Sequence, residues 1–221
     1  MDWSALYLSG KLALATAAIL APIGIVLGRV LAWRDFHGKK LLEALLALPL
    51  VLPPTVLGYY LLIAMGGTSP LGRAHEWLVG RPLVFTFAGL VVASLIVNLP
   101  FAIQPMQRGF EAIGNDVRDA AKCCGMRPWR IFTRIELPLA WSGIASALVL
   151  TFAHTLGEFG VVLMVGGNIA GETRTVSVAI YDRVQAFDDR GAGIMAATLL
   201  VLSLVAIIAV YATTGRRVLR R

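Results

Sequence analysis

The sequence predicts an all-α, polytopic integral membrane protein with five transmembrane helices. Three observations carry that expectation. Of the 221 residues, 57% are hydrophobic and 15% charged, with a mean hydropathy of +0.75; soluble domains hold about 45–50% apolar and about 25% charged residues. The apolar residues are gathered into five runs, each long enough for the roughly 20 residues that cross a bilayer core. The Lys and Arg residues, finally, fall mainly into alternate connections between those runs. The same composition excludes fibrous, disordered and disulfide-rich secreted classes.

The first run, about 11–33, is preceded by Asp2 with Lys11 as the sole basic flank. It exceeds the roughly 7–15 residues of a secretory h-region and is expected as a retained span carrying Pro22, Gly24 and Gly28. The second run, about 41–65, holds Pro49, Pro53 and Pro54. Proline removes a backbone hydrogen bond and clashes with the preceding turn, so this helix is expected to break or bend strongly at Leu52–Thr55. Such a break is either a packing kink or the lining of a cavity, since discontinuous helices recur at transport sites. The third run, about 83–103, carries Asn98 and Pro100. The fourth, about 140–165, holds Glu158, the one acidic residue deep in a span, with His154 one turn earlier. Intramembrane ionisable groups are functional candidates with a partner to be named. Positions i and i+4 share a helix face, so the two form either a proton-coupling pair or a brace against a neighbouring helix. The fifth run is about 194–214.

Orientation follows from the basic residues near span ends. The connection after span one supplies Arg29, Arg34, Lys39 and Lys40; that after span three supplies Arg108, Arg118, Lys122, Arg127, Arg130 and Arg134; the tail supplies Arg216, Arg217, Arg220 and Arg221. Together they hold 14 of the 20 basic residues. The expected topology has the N-terminus outside and the C-terminus in the cytoplasm. The formal charge of +7 is then a positive-inside signature, and no nucleic acid partner is expected.

The longest inner connection, about 104–139, has a helical pattern of its own. Ile113, Val117, Ala120, Ala121 and Cys124 share one stripe, opposite Asn115, Asp116, Arg118, Asp119 and Lys122. Gly125 is placed to close that helix in a left-handed conformation. Pro128 can open a second helix that runs to Pro138. An interfacial helix lying on headgroups is one reading; the small residues on the stripe favour close docking into a protein groove.

These residues carry a family resemblance. Asp119-Ala120-Ala121, three residues, Gly125, nine residues, then Ile135, Leu137 and Pro138 resemble the E-A-A-x3-G-x9-I-x-L-P motif of binding-protein-dependent ABC importer permeases. Asp119 in place of Glu is the one departure; it keeps the charge and shortens the arm. The resemblance implies a type I importer permease fold over residues 10–214, with a coupling segment at 111–138 that docks on a cytoplasmic ATPase, and a basic tail at 215–221. Thr155-Leu156-Gly157-Glu158-Phe159-Gly160 and the run Gly166–Thr175 look like the molybdate permeases; the G-E-F-G element is shared with sulfate, thiosulfate and tungstate permeases. Some relatives have a further N-terminal span beyond this five-span core. The resemblance implies a homodimer in the inner membrane among lipids, two copies of an ABC ATPase that bind ATP and Mg, and an extracytoplasmic oxyanion-binding protein. Pro53, Pro54, Thr55, Gly157, Glu158 and Phe159 become the candidate path or gate. Asn168, Glu172 and Arg174 become candidate contacts to the binding protein.

Other signals point away from chemistry in this chain. Neither Gly10-Lys11 nor Gly38-Lys39 belongs to a phosphate loop, which needs an upstream glycine and a following hydroxyl. No nucleophile–base spacing is visible, so neither a catalytic residue nor a bound cofactor is expected. Cys123 and Cys124 are adjacent, without metal or redox spacing, and His37, His75 and His154 are scattered, so no metal site is expected. The outer connection 166–193 places Val176, Ala179, Ile180 and Val184 at helical spacing, either as a solvated interfacial helix or as a docking surface. Trp33, Trp77, Trp129 and Trp141 lie near span ends, as an aromatic belt would place them. Two rival classes remain at this level: a proton-coupled transporter using Glu158 and His154, and a membrane scaffold without transport.

Overall fold

A computed structural model of the chain describes residues 1–218, with side chains through residue 208. The side chains of the basic tail at 215–221 lie outside the described residues. Every regular element described is helical.

The first helix, α1 (Trp3–Trp33), begins where the Asp2 carboxylate accepts the Ala5 N–H, the usual office of an N-cap aspartate. A loop leads to α2 (Lys39–Val51), which buries no residue, and then to α3 (Pro54–Met65). The expected proline break is present, and it is larger than a kink: the chain bends by 113° between the two helices. Pro53 and Pro54 have no N–H, so the break opens without orphaning a donor at either position. Ser69 caps the short α4 (Pro70–Val79), and Thr86 caps the long α5 (Phe87–Glu111).

After α5 come α6 (Asn115–Cys123) and α7 (Pro128–Ile131), a π-helical turn at Phe132–Glu136, and α8 (Leu137–Leu139). The expected single helix from Pro128 to Pro138 is therefore not uniform. The ring of Pro138 would strike the carbonyl four residues earlier in a regular helix, and the widened turn relieves that clash. The chain then bends by 66° into α9 (Trp141–Gly157). The expected fourth span, 140–165, also divides. It ends at Gly157, and α10 (Gly160–Gly166) follows after an extended Glu158. The connection 166–193 holds α11 (Val176–Gln185), and α12 (Asp189–Val218) is the last described element. Three of these helices are long and apolar enough to cross a membrane, or five spans if each bent pair is counted as one.

The core is a bundle of α1, α5 and α9. In lipid, helices associate by close packing of small residues rather than by expelling water, and glycines mark the crossings of α5 with α1 and with α9. A Cβ on Gly28 would lie 2.9 Å from the Gln107 amide nitrogen. One on Gly143 would lie 2.5 Å from the Pro105 carbonyl and 2.8 Å from Gly109 Cα. At these crossings the obstacles include backbone atoms, which cannot rotate away. The pair α3 and α10 packs against the N-terminal half of α5 through Leu61, Met65, Val97, Val161 and Val165.

Replacing Gly143 by leucine is expected to force α5 and α9 apart, at an over-packing cost of about 1–3 kcal/mol or more. The yield of monodisperse protein in mild detergent and its melting temperature should both fall, whereas Gly10→Leu, at a position with open space around it, should leave both unchanged.

Candidate functional site

At one end of the bundle hangs the segment 111–138. Gly125 has φ +71°, so the chain turns there as the motif requires, and Gly125 and Met126 donate to the Lys122 and Ala121 carbonyls. On α6 only Ala121 is buried; Val117, Ala120 and Cys124 are exposed. Part of the apolar stripe is thus left without a partner in this chain. Asp119 is also exposed and forms an ion pair with Lys122 at 2.7 Å. That hydrogen bond, with the charges of Lys122 and Arg118, holds its carboxyl below the ordinary aspartate range. Ile135 and Leu137 are half-buried and Pro138 is exposed, forming the return to α9.

In the middle of the bundle the two helix breaks meet. Gly160 packs so tightly on Pro54 and Thr55 that a Cβ there would lie 2.8 Å from Pro54 Cβ. Pro53, Pro54, Thr55 and Gly157 are exposed around this contact, while Phe159 lies against Tyr181 of α11, ring centroids 5.0 Å apart. Glu158 is buried but does not sit on the same helix face as His154, as the spacing suggests. Its backbone is extended, and Oε1 accepts the Val161 N–H at 3.0 Å, capping α10. The Glu158 carbonyl accepts from Ser177 Oγ at 2.6 Å. His154 Nε2 lies 3.9 Å from Glu158 Oε2, beyond hydrogen-bond reach. The closer partner of His154 is Asn98, fully buried on α5: Asn98 Nδ2 donates to the Ser94 carbonyl, leaving Oδ1 to accept from His154 Nδ1 at 3.1 Å. The His154 ring stacks on Phe101 at 4.1 Å.

From this centre a groove follows α5 toward the coupling end. A 200 Å³ cavity between Leu50, Phe101 and Leu150 and a 380 Å³ cavity between α2 and α5 share Gln104 and Arg108. Glu43 and Glu111 line the larger cavity, where both accept from Gln107 Nε2 at 3.1 and 2.9 Å. Arg108 is exposed to the groove and forms no ion pair among the described residues.

At the other end, the loop 167–175 is folded by its own polar residues. Asn168, at φ +60°, donates to both Asp182 oxygens at 3.1 and 2.9 Å and accepts from Arg174 Nε at 2.7 Å. Thr173 donates to the Gly166 carbonyl and accepts the Ile169 N–H. Asn168 and Arg174 thus serve the loop's own fold, and Glu172 is the exposed member of the three. Val176 and Ala179 of α11 are buried against α1 and α12, so this helix is part of the bundle rather than a solvated strap. No group of His, Cys, Asp and Glu among the described residues is arranged to hold a metal.

Residues 22–220 match the family of binding-protein-dependent transport system inner membrane components. The chain belongs to that family. It is 44% identical over 212 residues, 96% of this chain and 94% of the relative, to the molybdenum transport system permease protein ModB of Azotobacter vinelandii. To ModB of Escherichia coli K12 it is 38% identical over 83% of this chain and 80% of the relative. To the probable sulfate transport system permease protein cysT of Zygnema circumcarinatum it is 32% identical over 87% and 68%. A bacterial alginate ABC transporter, solved in complex with an alginate pentasaccharide-bound periplasmic protein, superposes with a TM-score of 0.77 at 18% identity, over 96% of this chain and 78% of that one. The fold is that of a type I ABC importer permease, and the chain is a multi-pass inner-membrane component.

Three features of this permease escape sequence reasoning. Glu136, inside the I-x-L-P stretch, is buried and paired with Arg29 of α1 and Arg118 of α6; the usable signal was an arginine within the first apolar run. Asn98 is the partner of His154, a pairing 56 residues apart that spacing cannot reveal. Trp33 has partners that its span-end position does not reveal: it packs edge-on to Phe110 at 5.4 Å, with the Arg118 guanidinium 3.7 Å above its ring. Trp77 and Trp129 are the exposed pair.

Gly125→Val should penalise the left-handed turn by about 1–2 kcal/mol although the site has space for a side chain. Transport is expected to fall at least tenfold with the subunit still present in membranes. Normal uptake together with normal ATPase association would contradict this reading of the turn.

Proposed function

We propose that this chain is the membrane-spanning permease subunit of an ATP-driven importer that carries molybdate into the cytoplasm. The observation that carries the reading is the 44% identity to a molybdenum transport permease along nearly the full length of both chains. The weaker and shorter match to a sulfate permease makes sulfate the second reading. In the proposed assembly two copies form the path between them, in five spans each with the N-terminus outside. Two ATPase subunits, which bind ATP and Mg, dock on the exposed face of α6, and a loaded oxyanion-binding protein docks on the outer end, where Glu172 is exposed. ATP binding draws the coupling segments together and opens the path outward; hydrolysis resets it.

The smaller cavity along α5, lined by Gln104 and Arg108 and by no carboxylate among the described residues, supplies a physical route. A tetrahedral dianion needs donors and positive charge, and a guanidinium offers both. Arg108 is the cation of the groove without a carboxylate partner, and one from each copy would match a double negative charge. Glu158 is unsuited to touch the cargo, because a fixed carboxylate beside a dianion is repulsive at low effective dielectric; its place as a helix cap agrees with that. The proton-coupled reading draws no support from His154, whose nearer bond is to Asn98.

The test is uptake of labelled molybdate into proteoliposomes containing the permease, its ATPase and its binding protein. Arg108→Gln should lower the rate about tenfold or more, the scale of one lost charge-assisted hydrogen bond, without loss of ATPase association. A hundredfold excess of sulfate should compete weakly. Sulfate competing as well as molybdate would move the substrate assignment to the second reading, and unchanged uptake in Arg108→Gln would remove that residue from the path.

A further inference from the structure

The segment that meets the ATPase is tied to the membrane bundle by one buried carboxylate. The Glu136 side chain is 1% exposed, yet three bonds reach it: Arg29 Nε at 2.6 Å, Arg29 Nη2 at 3.4 Å and Arg118 Nε at 3.2 Å. Arg29 belongs to the last part of α1, Arg118 to α6, and Glu136 to the π-helical turn before α9. Aromatic rings close the cluster. The Arg118 guanidinium lies 3.7 Å over Trp33, and Arg29 lies 5.5 Å from Trp33 and 5.3 Å from Phe132. Trp33 in turn rests on the fully buried Phe110 of α5. One carboxylate thus joins the coupling helix to the ends of three helices of the core.

Its position makes this more than a packing contact. Helix α6 buries a single residue, Ala121, so little apolar surface holds it to the bundle. Arg118 immediately precedes Asp119 in the docking motif, and on this helix it is the cation that reaches inward. A buried carboxylate held by two guanidiniums is stiff in length and direction, and losing either partner leaves charge uncompensated. The π turn that carries Glu136 is a wide, uncommon geometry, frequent at functional sites.

We propose that Glu136 is the strut through which displacement of the coupling helix reaches the transmembrane bundle, with Arg118 as its attachment to α6 and Arg29 as its attachment to α1. In this role Glu136 is a positioning residue: it touches neither cargo nor nucleotide. The inference rests on the importer reading above. A shift of α6 along the inner surface pulls on Arg118, and through Glu136 the pull is delivered to α1 and to the turn that sets the entry angle of α9.

The test measures, on the same proteoliposomes, molybdate taken up and ATP hydrolysed in the presence of loaded binding protein. For Glu136→Gln the expected result is an assembled complex whose hydrolysis stays within about twofold of wild type while uptake per ATP falls at least fivefold. Arg118→Met, which leaves Glu136 paired with Arg29, should lower the same ratio, and Lys40→Met, at an exposed position outside the coupling segment, should not. A merely structural role would reduce the amount of complex and leave the ratio untouched. An unchanged ratio in assembled Glu136→Gln overturns the proposal; if that variant fails to assemble, an unchanged ratio in Arg118→Met overturns it. Wild-type protein that neither binds the ATPase nor takes up molybdate would instead overturn the importer reading, and the strut with it.

Discussion

A helix that stops inside an apolar layer must find partners for the backbone groups it frees, because no solvent is there to supply them. The architecture of this permease depends on how its two interior breaks meet that demand. At the first, Pro53 and Pro54 bring no N–H to satisfy, and the Pro53 carbonyl accepts from Val56 and Leu57 of the next helix. At the second, the Glu158 carboxylate takes the Val161 N–H and Ser177 takes the Glu158 carbonyl. The breaks then pack on one another through Gly160, whose missing side chain lets Pro54 approach. A further donor, the Val176 N–H at the start of α11, goes to Ser9 Oγ of α1 at 2.8 Å. The break region is thereby anchored to α1, α3 and α11 together.

This satisfaction is uneven, and the unevenness separates scaffold from working surface. Asn98, Glu158, Asn168, Thr173 and Glu136 are all committed to partners within the chain. Among the described residues, Arg108 in the groove, Val117 and Ala120 on α6 and Glu172 in the loop 167–175 are not. In the proposed assembly these uncommitted groups would face the cargo, the motor and the donor protein. A buried, fully bonded polar group resists being moved alone, which suits it to carry force between such surfaces rather than to bind at them.

The α-helical class and the approximate runs were legible because apolar blocks of bilayer length have few alternative explanations. The proline break at Leu52–Thr55 was legible for the same local reason, though its 113° angle was not. The split at Glu158–Phe159 was missed: Gly157 and Gly160 bracket it, but glycine is common enough in membrane helices that neither one marks an end. The Gly125 turn was readable from its neighbours in sequence. The Glu136 cluster was not, since its partners lie 107 and 18 positions away and charge pairing at such separations is set by tertiary packing. Likewise the bonds that join Asn168, Arg174 and Asp182 could be seen only in the fold of the loop.

The account stands on transport being driven by nucleotide hydrolysis in a partner and not by an ion gradient through this chain. Its most direct test is molybdate uptake by proteoliposomes holding the permease with its ATPase and binding protein, measured with ATP and no proton gradient, then with a proton gradient and no ATP. Uptake in the first condition and none in the second is the predicted result. Gradient-driven uptake without ATP would contradict it and would return Glu158 and His154 to the centre of the mechanism.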